Sequence, residues 1–211
     1  MELAVYNIQG KDTGKKVQIN DQLFGIEPND HAIYLDVKQF MANNRQGTSQ
    51  TKEKNEVIAS TKKIKKQKGT GTARAGSVKS PTRKGGGRTF GPKPRDYSFK
   101  LNKKVKNIAR LSALVHKLKS DNFIVIEDFD FEQPKTKNIV DLKKNFNIDN
   151  KKSLLILPNQ NNNIYLSSRN LKDFDVLNVS AINTYEILKA QKLLVFESTL
   201  EFMEQSFNKV N

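Results

Sequence analysis

Apolar positions follow two rhythms along this chain, and a long stretch in its first half follows neither. Val5 between Ala4 and Tyr6 reads as a short strand, and Val17 with Ile19, then Leu23 with Phe24, suggest further extended pieces. Asp30 is placed to cap a helix whose Ile33, Val37, Phe40 and Met41 share one face, and which fades at Asn43 and Asn44. Helical spacing returns at Val105, Ile108, Leu111, Val115 and Leu118, predicting an amphipathic helix over residues 103–119 packed on a globular part. Beyond it, short apolar runs at 123–126, 154–157, 176–179 and 193–196 read as strands. Between them lie a helix-like segment at 135–146, a polar loop at 159–163, a helical turn at 168–171 and a short helix capped by Asn183 with Glu186. Ser198 and Glu201 have the spacing of a capping box before a terminal helix. Apolar runs alternating with helices predict an α/β fold, a mainly parallel sheet with helices on its faces. A long extended basic loop is inserted near the N-terminal third.

That insert, residues 43–107, changes the picture through its charge. It holds 19 of the 37 lysines and arginines against three acids, Glu53, Glu56 and Asp96, so it carries +16 while the rest of the chain sums to −1. Eight of the eleven glycines and Pro81, Pro92 and Pro94 lie in it, which excludes long regular elements across its middle. The expected organisation is one α/β domain from residues 1–42 and 108–211, with 43–107 as an extended RNA-binding loop. Like charges at this density stay open until a polyanion collapses them. A membrane-surface helix would need an apolar face opposite the charges, and residues 60–100 offer only Ile64, Val78, Phe90 and Phe99, far apart. Nucleic acid is the fitting partner.

Composition removes other classes. Without cysteine there are no disulfides, thiolate zinc sites or cysteine nucleophiles. No run of about 18 apolar residues is present to span a membrane, and the start of the chain lacks the pattern of a signal peptide, so a cytoplasmic protein is expected. Gly71 to Gly76 has the spacing of a phosphate-binding P-loop, but Ser77 stands where its lysine belongs and no strand precedes it. His31 and His116, the two histidines, read as structural or surface residues. Glu127, Asp128, Asp130 and Glu132 follow a predicted strand and could hold Mg²⁺. The simpler reading is a solvated acidic turn with Phe129 and Phe131 packed inward. No catalytic residue, resident metal or cofactor is expected, Mg²⁺ entering only as a counter-ion of RNA.

The chemistry expected of the insert is phosphate contact plus close backbone approach. Lys62, Lys63, Lys65, Lys66 and Lys68 lead into Gly69, Thr70, Gly71, Thr72, Ala73, Arg74, Ala75, Gly76 and Ser77. Lysines supply mobile point charges, and the small residues let backbone N–H groups reach phosphate oxygens. Arg83, Lys84, Gly85, Gly86, Gly87 and Arg88 repeat the theme. Phe90, Tyr97 and Phe99 follow, where aromatics could stack on unpaired bases. The expected RNA-binding set is Arg45, Lys52, Lys62, Lys63, Lys65, Lys66, Lys68, Arg74, Lys79, Arg83, Lys84, Arg88, Lys93, Arg95, Lys103 and Lys104.

Taken in order, Asn44-Arg45-Gln46-Gly47-Thr48, Gln67-Lys68-Gly69-Thr70-Gly71, Ala73-Arg74-Ala75-Gly76-Ser77, Ser80-Pro81, Gly85-Gly86-Gly87 and Phe90-Gly91-Pro92 resemble the bacterial L-four family of large-subunit ribosomal proteins. The resemblance continues through Lys103-Lys104-Val105, Ser112-Ala113-Leu114, Pro134-Lys135-Thr136-Lys137 and Ser168-Arg169-Asn170-Leu171, covering nearly the whole chain. It implies a structural role in the large subunit, with a loop threading into its rRNA and supporting assembly. It further implies a loop tip in the wall of the nascent-peptide exit tunnel, opposite ribosomal protein L twenty-two. Carried over by position, the tip is Lys66, Gln67, Lys68, Gly69, Thr70, Gly71 and Thr72. Substitutions there alter macrolide action in the family, which draws attention to Lys68. The implied partners are large-subunit rRNA, neighbouring ribosomal proteins and the nascent polypeptide, with no membrane and no homo-oligomer. At about 3.3 Å per residue, the chain from Arg45 to Lys68 reaches on the order of 75 Å, enough to penetrate an RNA domain. The chain departs from the family pattern at Lys65 and Arg83, where members commonly carry tryptophan, and at Thr72, where they carry arginine. Phosphate contacts or guanidinium stacking by Lys65 and Arg83 are expected to compensate. The alternative classes are an RNA- or nucleotide-processing enzyme and an RNA- or DNA-binding regulatory protein acting outside the ribosome.

Overall fold

The computed structural model describes residues 2–20 and 24–208. Among these residues six strands, β1 (Glu2–Tyr6), β2 (Asp12–Gln18), β3 (Phe123–Ile126), β4 (Ser153–Leu157), β5 (Phe174–Asn178) and β6 (Lys192–Phe196), form one sheet in the order 2-1-3-6-4-5. All neighbouring pairs are parallel except the β1–β2 hairpin at one edge. The helices are α1 (Asp30–Asn43), α2 (Lys103–Lys119), α3 (Thr136–Asn145), α4 (Asn162–Ser168), α5 (Thr184–Lys189) and α6 (Glu197–Asn208). The result is a mixed, mostly parallel sheet with flanking helices.

Both faces of the central strands are covered, which is why they read as continuous apolar runs. Successive side chains alternate between two cores. Val125, Leu154, Ile156, Leu193 and Val195 join Ala113 and Leu114 of α2, Ile187 of α5 and Met203 of α6. Ile126, Leu155, Leu157, Leu194 and Phe196 join Ile139 and Leu142 of α3 and Ile164 of α4.

Several local expectations are corrected. Asn29, not Asp30, caps α1: its Oδ1 accepts from the Ala32 amide at 2.9 Å. The buried stripe of α1 is Ala32, Asp36 and Gln39, whereas Met41 is exposed. Asp36 is tolerated inside because the Thr184 hydroxyl donates to it. On α2 the buried face is Ala109, Ser112, Ala113, Leu114 and Val115, of which the small Ala109, Ser112 and Ala113 let the helix lie close, and Ile108 is left exposed. The supposed polar loop at 159–163 contains the start of α4, where Asn161 Oδ1 accepts from the amides of Asn163 and Ile164 at 3.0 and 3.2 Å. Phe24 lies in a helical turn, its amide donating to the Asn20 carbonyl at 3.1 Å, rather than in an extended piece. Leu23 lies outside the described residues. Strand β5 begins two residues before the predicted run, and Val179 opens a 3-10 turn instead. Ser198 forms no capping box: α6 starts directly from β6 at Glu197, and the Ser198 amide faces Asp128 Oδ1 at 3.4 Å.

The chain divides into two compact units, Met1–Met41 with Lys100–Asn211, and Ala42–Phe99.

Candidate nucleic-acid interface

Past the end of α1, the unit Ala42–Phe99 contains neither helix nor strand, yet its backbone is paired. At its neck the Phe99 amide donates to Asn43 Oδ1 at 3.2 Å. Two residues further in, the Arg45 guanidinium lies 3.8 Å from the centroid of the Tyr97 ring, and Arg95 covers the same ring at 4.5 Å. Then the Arg95 amide donates to Gly47 O at 3.1 Å, Thr51 to Pro92 O at 3.1 Å, Arg88 to Lys52 O at 2.8 Å and Ile64 to Gly76 O at 3.0 Å. Outgoing and returning limbs thus run side by side. The pairs Lys52 with Arg88 and Ile64 with Gly76 are both centred on residue 70.

Glycine makes this pairing sterically possible. A Cβ on Gly47 would stand 2.0 Å from the Arg95 carbonyl oxygen, and one on Gly87 would stand 2.4 Å from the Lys54 amide nitrogen. The glycines flanking the turn differ: Gly69 and Gly71 have φ of 77° and 62° with nothing near them. They reverse the chain rather than fit a neighbour. Across this turn Lys65 Nζ donates to Thr72 Oγ1 at 2.8 Å, and Lys63 Nζ to Gln67 Oε1. Lys65 and Thr72, two of the three positions expected to depart from the resemblance or compensate for it, therefore bond each other. Arg83, the third, sits in successive turns, its amide donating to Ser80 O and its carbonyl accepting from Gly86, both at 3.0 Å.

The unit's three acids are engaged locally. Glu53 pairs with Lys93 at 2.7 Å, and that hydrogen bond with its charge raises the Lys93 pKa. Glu56 accepts from the Glu53 amide at 3.0 Å. Asp96 accepts from the hydroxyl and amide of Ser98 at 2.6 and 2.8 Å, which lowers its pKa. A hydrogen bond from Arg95 likewise lowers the Tyr97 phenol. Of the expected RNA-binding set, all are exposed except Lys65 and Lys79, which are half-buried. The same unit contains the whole set but Lys103 and Lys104, which occupy the first turn of α2 in the other unit. There the helix dipole disfavours cations, and no acid in that turn offsets them. Lys54, not in the set, lines a cavity of about 640 Å³ with Arg88, Phe90 and Lys93. In sequence it stands between Glu53 and Glu56, which masks it.

Three of the four acidic residues after β3 have structural partners. Glu127 pairs with Lys15 at 2.7 Å, Asp128 faces the start of α6, and Asp130 accepts from the Asn161 side chain at 2.9 Å. Phe129 and Phe131 pack into the second core. Among the described residues, no group of three or more histidines and acids is placed to hold a metal. None of their helices is long and apolar enough to cross a membrane. His31 stacks on Tyr34, and His116 Nε2 lies 2.8 Å from Asp30 Oδ1.

Exposed cations in large excess on a glycine-paired backbone define the class, a polyanion-binding α/β protein. Comparison with known proteins narrows it. The model of the Ribosomal protein L4/L1 family matches residues 17–206, and the chain belongs to that family. It is 57% identical over 209 residues to the large ribosomal subunit protein uL4 of Flavobacterium johnsoniae, covering 99% of this chain and 100% of that one. Its identity to the protein of the same name from Flavobacterium psychrophilum is 58% over 209 residues, covering 99% and 100%. To that of Parabacteroides distasonis it is 56% over 207 residues, covering 98% and 99%.

Proposed function

We propose that this chain is a structural constituent of the large ribosomal subunit, binding its rRNA and performing no covalent chemistry. The observation that carries the reading is the family match across residues 17–206, which takes in the entire basic unit. In this reading, exposed lysines and arginines displace counter-ions from phosphate-dense RNA and let its helices approach one another. The limbs, Arg45 to Lys68 and Arg74 to Arg95, form an rRNA-clamped loop that supports subunit assembly. The turn from Lys66 to Thr72 lines the nascent-peptide exit tunnel, opposite ribosomal protein L twenty-two, in the cytoplasmic ribosome. Its small residues and outward glycines suit a surface that must pass close to RNA, and the Lys65–Thr72 bond holds it closed.

The test is removal of residues 62–88 from the full chain. Expected are a folded α/β part, loss of co-sedimentation with large subunits in high salt, and accumulation of incomplete particles. Normal assembly with that deletion refutes the role given to the loop. RNA binding without any association with large subunits favours the regulatory alternative.

A further inference from the structure

We infer that the basic unit contains a subsite for a single unpaired RNA nucleotide, its base stacked on Phe90 and its phosphates met by Lys54 and Arg88. This rests on the rRNA-binding reading and specifies the ligand of one part of it. The observation behind it is a jump in register between the limbs. Thr51 pairs with Pro92, and the next residue, Lys52, already pairs with Arg88. Thr89, Phe90 and Gly91 have no backbone hydrogen-bond partner on the outgoing limb and form a bulge between two fixed points, in which Gly91 lies against the Thr51 side chain while Thr89 and Phe90 are exposed. Phe90 stands at the middle of that bulge with φ of 53°, in the left-handed region an L-residue rarely adopts. Its side chain is fully exposed, at 101% of the reference. A large aromatic held in an unfavourable backbone conformation and covered by nothing is positioned for something outside the protein.

The surroundings say what. Phe90 borders the 640 Å³ cavity, whose wall carries Lys54, Arg88 and the Lys93–Glu53 pair. That volume lies within the usual range of ligand sites, about 300–1,000 Å³. Phe90 is the single large apolar side chain along this wall, so a protein partner's apolar anchor would find no apolar lining to pack against. A base needs one π-face, and its phosphate needs cations, both of which are present. Glu53 does not oppose the phosphate as a free charge, because Lys93 neutralises it at 2.7 Å. The base is unpaired because stacked duplex bases do not offer their faces to a side chain. Among the three candidate aromatics, Tyr97 is already occupied by Arg45 and Arg95, and Phe99 lies at the neck, 37% exposed. Phe90 is the platform.

The test uses the full chain on protein-free large-subunit rRNA, with affinity titrated across salt and bases probed by dimethyl sulfate and carbodiimide. Wild type is expected to protect one unpaired base that Phe90→Ala leaves reactive, the rest of the footprint being unchanged. Affinity should fall about 5- to 150-fold at an unchanged salt slope, since stacking releases no counter-ions. Phe90→Tyr should keep both protection and affinity. Arg88→Ala should weaken binding and flatten the log–log salt slope by about one. If Phe90→Ala leaves footprint and affinity intact, the inference is overturned while the rRNA reading stands. A defect of Phe90→Ala confined to particles containing other proteins also overturns it, in favour of a protein neighbour. Failure of the wild-type chain to bind this RNA removes the rRNA reading itself, and the subsite with it.

Discussion

Gly47→Ala tests whether the two limbs of the basic unit are truly paired. Gly47 has φ of 65°, and a Cβ there would lie 2.0 Å from the Arg95 carbonyl oxygen. Two costs combine. Placing alanine in the left-handed region costs about 1–2 kcal/mol. The clash also separates the limbs and breaks the bond from the Arg95 amide to Gly47 O, worth about 1 kcal/mol. Closure of this segment is therefore weakened by roughly 2–3 kcal/mol, a factor of about 30 to 150 at 1.4 kcal/mol per tenfold. The control is Gly85→Ala, with φ of 79° but nothing within 4 Å, which carries the backbone strain alone. The assay is amide hydrogen exchange of Arg95 in the full chain, which reads opening of that bond directly. Gly47→Ala should lower Arg95 protection by one to two orders of magnitude, and Gly85→Ala should leave it nearly unchanged. Equal protection in the two variants refutes the pairing.

Three further outcomes follow from charge and packing. Binding to large-subunit rRNA should fall with salt at a log–log slope of about −6 to −7 if some eight cations meet phosphates; salt-insensitive binding would sink the electrostatic reading. Replacing Lys103 and Lys104 by glutamate should stabilise the RNA-free protein by about 0.3–1 kcal/mol per site, through the helix dipole, while weakening rRNA affinity. Thermal unfolding and titration together check this, and a lower melting temperature would contradict it. Thr184→Val removes the donor to Asp36, which is 9% exposed. Unfolding in urea should show a loss of about 1–3 kcal/mol, and a change below about 0.5 kcal/mol would mean that the pair is not structural.

The strands were legible because burial on both faces leaves no polar interruption: Leu154 to Leu157 is apolar without a break. What periodicity misplaced was decided by polar residues acting in pairs. Asn29 and Asp30 are adjacent and equally good caps on paper, and only the Ala32 amide chooses between them. The buried face of α1 turns on Asp36, acceptable inside because of Thr184, 148 residues away. An asparagine-rich run reads as loop by composition, although Asn161 within it is a helix cap. At the interface, charge and glycine content are local properties and showed directly. The pairing of limbs did not, because its partners lie 12 to 56 residues apart without apolar alternation to mark them. Lys54 was hidden by its acidic neighbours for the same reason, since the cavity that recruits it exists only after the limbs meet.

The nesting of those bonds about residue 70 also governs how such a segment can change in length. A residue added between positions 53 and 63 shifts every later position of the outgoing limb, so Ile64 no longer meets Gly76 unless the returning limb gains one as well. Insertions and deletions here must therefore come in matched pairs, as they do in the two sides of an RNA stem. The bulge at 89–91 is the place where that bookkeeping is already broken, and where a single-sided change can be absorbed without moving the turn.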